Sequence, residues 1–251
     1  MSQHDAYQVQ PSHQPPAYGQ PPAYRQYAPP GAGYGGAARP WDGPGPALSV
    51  PSGLATATVV LAVAVTAVQV LSWLTSFGAV ERYTQAASVG VPSAEVFTAY
   101  DTVATLLLLV QLAAGVVTCV WLWSSRSIAE AVAPERGHAR SRVWVWLGWI
   151  VPVVSLWFPY QVVRDVRAAT VASPRPGLGW WWTGWLVFGV ATNVAAQVAS
   201  SGPAASPEVY SVLPVAESVG TAAVVLALVL WARIVREVTA GQRAVLTTSP
   251  R

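Results

Sequence analysis

Residues 143–167, VWVWLGWIVPVVSLWFPYQVVRDVR, constrain this chain more than any other stretch. They carry no charge from Val143 to Val163, yet Pro152 and Pro159 interrupt them and Trp144, Trp146, Trp149 and Trp157 are spread along them. Each proline removes an intrahelical hydrogen bond and disfavours a straight helix. Tryptophans prefer the water–hydrocarbon interface to the bilayer centre. Segment 143–163 is therefore expected to dip into a membrane and return, or to lie along its face. An ordinary span kinked at its prolines is the alternative. Broken backbone at membrane depth is tolerated only where protein or water covers it, so other helices should pack around it.

Composition puts the chain in a membrane. Of its 251 residues, 53% are hydrophobic and 10% charged, a balance outside that of soluble domains. Four further runs, at 54–77, 100–123, 180–199 and 212–231, are near the ~20 residues that cross a ~30 Å hydrocarbon core. Trp73, Trp121, Trp123 and the group Trp180, Trp181, Trp182 and Trp185 stand toward their ends, as interfacial anchors would. The expected fold is an all-α membrane protein. Its membrane domain, 51–238, holds four transmembrane helices and the Pro-broken re-entrant or interfacial segment, and a polar C-terminal tail, 239–251, follows. No basic stretch leads directly into a short apolar core at the N-terminus, so the first run is expected to act as an uncleaved anchor.

Arginine supplies all 14 basic side chains, since the chain has no lysine. If 143–163 crossed, giving five spans, the arginines would divide six against eight in either orientation. If it returns, giving four spans with both termini inside, 13 lie inside and Arg82 alone outside. The positive-inside rule selects the second arrangement, a multi-pass protein of the bacterial plasma membrane with both termini cytoplasmic. A net charge of +3 is too small to imply a nucleic-acid partner.

Residues 1–50 form a tail of Pro, Gln, Tyr, Gly and Ala with a repeat, Gln14-Pro15-Pro16-Ala17-Tyr18 and Gln20-Pro21-Pro22-Ala23-Tyr24. So few aliphatic side chains cannot offset the entropy of ordering, and the tail is expected to be disordered with polyproline II character. Its Pro-Pro-x-Tyr units match the ligand of WW domains. They suit a protein partner or a plain tether.

Two runs, Gly148-Trp149-Ile150-Val151-Pro152 and Pro159-Tyr160-Gln161-Val162-Val163-Arg164-Asp165-Val166-Arg167, resemble the signature of the bacterial membrane family called domain of unknown function 4328. Trp121-Leu122-Trp123 with Arg126, and the Trp-rich segment 180–185, resemble it too. The likeness covers about residues 54–238 and implies several hydrophobic segments behind a Pro-rich tail, a pattern common in actinobacteria. The family pattern Trp-x-x-Arg-x-x-x-Asn departs here, with Glu130 in place of the Asn. The resemblance implies no activity.

Catalytic chemistry finds little support. His4, His13 and His138 all lie outside the predicted spans, and Cys119 is the single cysteine. A Ser/His pair or a histidine-held metal in the membrane lacks its groups, so no catalytic residue, metal or cofactor is assigned. Gln69, Asp101, Gln111, Asn193 and Gln197 form a candidate intramembrane polar cluster, either hydrogen-bonding glue between helices or the lining of a small site. Asp101 and Glu217 are expected to reach interfacial water. Arg126, Arg140, Arg142, Arg164 and Arg167 flank the Trp-rich stretch as a candidate collar for anionic lipid head groups, at about 1 kcal/mol each, or serve only to set topology. The functional expectation is a non-enzymatic scaffold or interaction protein acting through its tail. A low-affinity small-solute transporter or channel subunit is the alternative.

Overall fold

A computed structural model describes residues 48–202 and 206–248; the tail and its repeats lie outside them. Regular structure among the described residues is helical: α1 (Ser52–Ser88), α2 (Ala99–Val132), α3 (Trp144–Ile150), α4 (Phe158–Thr170), α5 (Leu178–Ala199) and α6 (Val212–Thr248). Three helices, containing α1, α2 and α6, are long and apolar enough to cross a membrane. The 22 residues of α5 would reach ~33 Å. Its four tryptophans, Asn193 and Gln197 lower its mean hydropathy. Val60, Leu71, Leu74, Leu109, Leu112 and Val116 are exposed on α1 and α2, an apolar belt that water would not tolerate.

The helices outrun the predicted spans for local reasons. Past residue 77, α1 continues because Ala79, Tyr83 and Ala86 keep one face buried. It ends where Gly90, at φ 76°, adopts a left-handed conformation and Val91 N donates back to Ala86 O at 2.9 Å. A capping box of Thr98 and Asp101 starts α2. Residues 239–248, expected as part of a polar tail, extend α6 instead. Thr239 and Gln242 are buried there, so this last portion is packed and not free.

The long helices pack in the order α2–α1–α6–α5. Small residues bring α5 and α6 together: a Cβ on Gly184 would sit 3.0 Å from Ala223 O, and one on Gly220 would sit 3.4 Å from Ala191 Cβ. Close backbone approach of this kind is how membrane helices gain dispersion energy. The end helices α2 and α5 share no substantial interface.

Segment 143–163 folds, with the residues after it, into a hairpin of α3 and α4. Val151 is extended before Pro152, as a residue before proline must be. Val153 turns the chain at φ 66°, ψ −54°, with Val154 N donating to Pro152 O at 2.7 Å, the strained form of γ-turn. Pro159 lies in the first turn of α4, where its missing N–H costs nothing. Gly148 lets the arms meet, for a Cβ there would lie 3.3 Å from Phe158 Cβ. The hairpin's two ends lie side by side: Ala139 N donates to Asp165 Oδ2 at 2.8 Å, and Arg136 donates to Ala168 O. At its tip Ile150, Val153 and Leu156 are exposed.

Tryptophans hold the hairpin in place. Trp182 Nε1 donates to Leu156 O at 2.7 Å, and Trp149 sets its edge against Trp182 and Trp185. Trp181 stacks on Trp231 at 4.9 Å, and Trp121 meets Trp231 edge-on at 5.6 Å. Trp121, Trp181 and Trp182, expected as interfacial anchors, are buried in this core, whereas Trp180 is 68% exposed. The reason is the hairpin, which covers rings that the bare ends of helices would leave outside.

Candidate functional site

Arginines gather at the end of the bundle where the hairpin begins and finishes, and two of them, Arg126 and Arg167, are buried in protein. Arg126, 4% exposed, binds Glu130 Oε1 at 2.8 Å and donates to Arg140 O. Glu130 also pairs with Arg142. Arg140 donates to Gln161 Oε1 at 2.7 Å and lies 3.9 Å above the Phe158 ring. Arg167, 6% exposed, pairs with Glu237 on α6 and donates to Arg175 O at 2.6 Å. Arg164 is the most exposed of the paired arginines and bonds its neighbour Asp165 at 2.9 Å. The five collar residues thus stitch α2, the following loop, the hairpin and α6. Arg142 and Arg164 keep part of their side chains at the surface.

Of the signature residues, Gly148 and Pro159 shape the hairpin, and Trp149 and Tyr160 pack on its core. Gln161, Arg164 and Asp165 join the network just described. His138 sits beside it in the loop. Burial, and then the nearby Arg126 guanidinium, hold its imidazole below the usual histidine range. Its Nε2 is buried without a hydrogen-bond partner among the described residues.

At the other end of the bundle the candidate polar residues separate into three groups, with Gln111 outside them. Glu217, expected at interfacial water, is 3% exposed. Its Oε2 accepts from Gln69 Nε2 at 2.6 Å, and its Oε1 from Tyr100 OH at 2.7 Å and Ser72 Oγ at 3.4 Å. This carboxylate therefore joins α1, α2 and α6. Asp101 accepts from Thr98 N and Thr98 Oγ1, both at 2.7 Å, and from Tyr83 OH at 2.9 Å. On α5, Gln197 donates to Asn193 Oδ1 at 2.6 Å and stays exposed. Gln111 makes none of these contacts. Sequence spacing pairs Asn193 with Gln197. The Gln69–Glu217 bond spans 148 residues and has no local signal.

A cleft runs between α2 and α5. Near the Glu217 end it encloses about 610 Å³, lined by Tyr100, Asp101, Gln111, Asn193 and Glu217 among others. Toward the arginine-rich end it continues as about 270 Å³ walled by Trp149, Trp181, Trp185 and Trp231. Leu108 and Gln111 line both parts. It exists because α2 and α5 sit at opposite ends of the packing order, and the hairpin's Trp149 closes its apolar end. Among the described residues no three of His, Cys, Asp and Glu converge as metal ligands would.

A helical bundle with three helices long and apolar enough to cross a bilayer, and with a side cleft that grades from polar to aromatic, fits a membrane protein. The family model described as "Domain of unknown function (DUF4328)" matches residues 87–240, and the chain belongs to that family. The match starts at residue 87, not near 54, so it covers α2 to α5 and most of α6 and leaves nearly all of α1 outside. No curated protein and no solved structure matches the chain.

Proposed function

We propose that this is a four-span protein of a bacterial plasma membrane, with both termini in the cytoplasm, that works without catalysis by admitting a small molecule from the bilayer into the cleft between α2 and α5. The cleft carries the reading. Pockets for small molecules are mostly apolar, with a few convergent polar groups, and this one has both halves of that description. The topology draws on the hairpin, whose ends meet beside the arginine network, and on the positive-inside rule. In this arrangement α5 is the fourth span and the apolar tip at Ile150 and Val153 enters hydrocarbon. The 1–50 tail supplies a compatible second role, recruiting a partner through its two Pro-Pro-x-Tyr units.

Reporter cysteines at Gly137 and Ala168, placed in a Cys119→Ala background, should label from one face of the membrane and a third at Ser201 from the other. Opposite-face labelling of Gly137 and Ala168, or same-face labelling of Ala168 and Ser201, would sink the four-span topology. A Cβ on Gly115, which lines the cleft, meets nothing within 4 Å, so Gly115→Leu should fill the space without disturbing the helix. Native mass spectrometry of the purified protein should show a small-molecule adduct that this variant loses. An adduct that survives the plug would place the ligand elsewhere.

A further inference from the structure

We propose that the cleft takes a cationic amphiphile, a single alkyl chain bearing an ammonium head, with the head at Glu217 and Asp101 and the chain against the tryptophan wall; this rests on the reading that the cleft holds a ligand. The first ground is charge. Asp101 and Glu217 are the charged residues lining the cleft, and no arginine or histidine lines either half. Every donor to Glu217 (Gln69, Ser72 and Tyr100) is neutral, as are Thr98 and Tyr83 at Asp101. These hydrogen bonds come from neutral groups and bring no counter-charge. Charged groups at membrane depth are ordinarily paired, and among the described residues Glu217 has no ion-pair partner. Arg82, the arginine nearest in sequence to Tyr83, is exposed on α1 and does not line the cleft. A cationic ligand in the cleft would supply the counter-charge.

The second ground is shape and polarity along the cleft. Phe97 and Tyr100 line the half that carries the carboxylates, Phe97 exposed and Tyr100 buried with its hydroxyl on Glu217. Aromatic faces attract ammonium groups and do not attract phosphate or sulfate. From there the lining passes through Leu108 and Gln111 into the part walled by Trp149, Trp181, Trp185 and Trp231, which offers no charge at all. Head and chain are thus assigned to opposite ends. The cleft is open along its side, so an amphiphile already in the bilayer enters without leaving hydrocarbon. An anionic lipid would place like charge beside two carboxylates, and a fully apolar molecule would leave them unmatched.

The test uses the full-length protein in nanodiscs of uncharged lipid and the fluorescence of the cleft tryptophans. Three probes share one ω-bromoalkyl chain, whose bromine quenches indole: a trimethylammonium, a sulfate and an alcohol. The ammonium probe should quench saturably and at least about tenfold more tightly than the other two, the range open to one desolvated cation contact. Gly115→Leu should remove the saturable component. Glu217→Gln combined with Asp101→Asn, which keeps the side-chain shapes, should erase most of the preference for ammonium. Equal binding of all three probes to the parent, abolished by Gly115→Leu, would overturn the cationic assignment and leave the cleft as a ligand site. Absence of saturable quenching, or quenching indifferent to the plug, would overturn both. The parent's ranking of the probes decides the matter even if the double variant does not fold.

Discussion

Replacing Gly241 by alanine should loosen the seam where α4 meets α6. Gly241 lies one turn beyond Glu237, the partner of Arg167. A Cβ there would overlap Thr170 O, lie 2.9 Å from Thr170 C and lie 3.3 Å from Val171 Cγ2. Two of these neighbours are backbone atoms, so no side-chain rotation relieves the overlap and the end of α4 must move. Two effects compete. Alanine favours a helix over glycine by about 1 kcal/mol, and overpacking of a tight contact costs about 1–3 kcal/mol. The overlap with backbone puts this site toward the upper figure, for a net loss of about 1–2 kcal/mol, or roughly 2–8 °C in melting temperature for a chain of this size. Gly189 is the matched control: it is also helical, and a Cβ on it meets nothing within 4 Å, so its alanine variant should gain stability or stay level. Thermal unfolding in one detergent, followed by tryptophan emission, compares the two. If Gly241→Ala melts no lower than Gly189→Ala, the close contact of α4 with α6 is absent and the placement of the hairpin with it.

Three further outcomes follow from the arginine-rich end and the hairpin bend. Arg167→Met should cost about 3–5 kcal/mol, because it strands the mostly buried Glu237 carboxylate, and adding Glu237→Leu should restore much of the loss in the same melting assay. Since His138 titrates below its ordinary value in the folded chain, the unfolded chain binds the proton more readily. Stability should then fall as pH drops through about 6.5, and His138→Gln should flatten that slope in melts between about pH 5 and pH 7. Val153→Gly should raise stability by up to about 1 kcal/mol, because φ 66° strains a β-branched residue and not glycine; a lower melting point would mean that the Val153 side chain matters more than its backbone.

The sequence by itself determined the helical class, the apolar runs, the break at Pro152 and the family. These follow from properties that each residue carries alone or shares with neighbours a few positions away: transfer preference, a missing N–H, a spacing. Even the ends of α1 and α2 are local, set by Gly90 and by the Thr98–Asp101 box. The tertiary structure decided what the polar and aromatic residues do. Of the arginines that read as a collar for lipid, Arg126 and Arg167 are buried because Glu130, Glu237 and backbone carbonyls bind them there, while Arg142 and Arg164 stay partly at the surface. Glu217 leaves the interface because Gln69 and Tyr100, more than 100 residues away in sequence, offer it hydrogen bonds. Tryptophans suited to a membrane surface become a core once the hairpin covers them. The cleft belongs wholly to this level, since it is the space left between two helices that both pack elsewhere. Burying a charge is tolerable only beside a partner, and which partner stands nearby is a fact about packing that hydropathy and spacing do not encode.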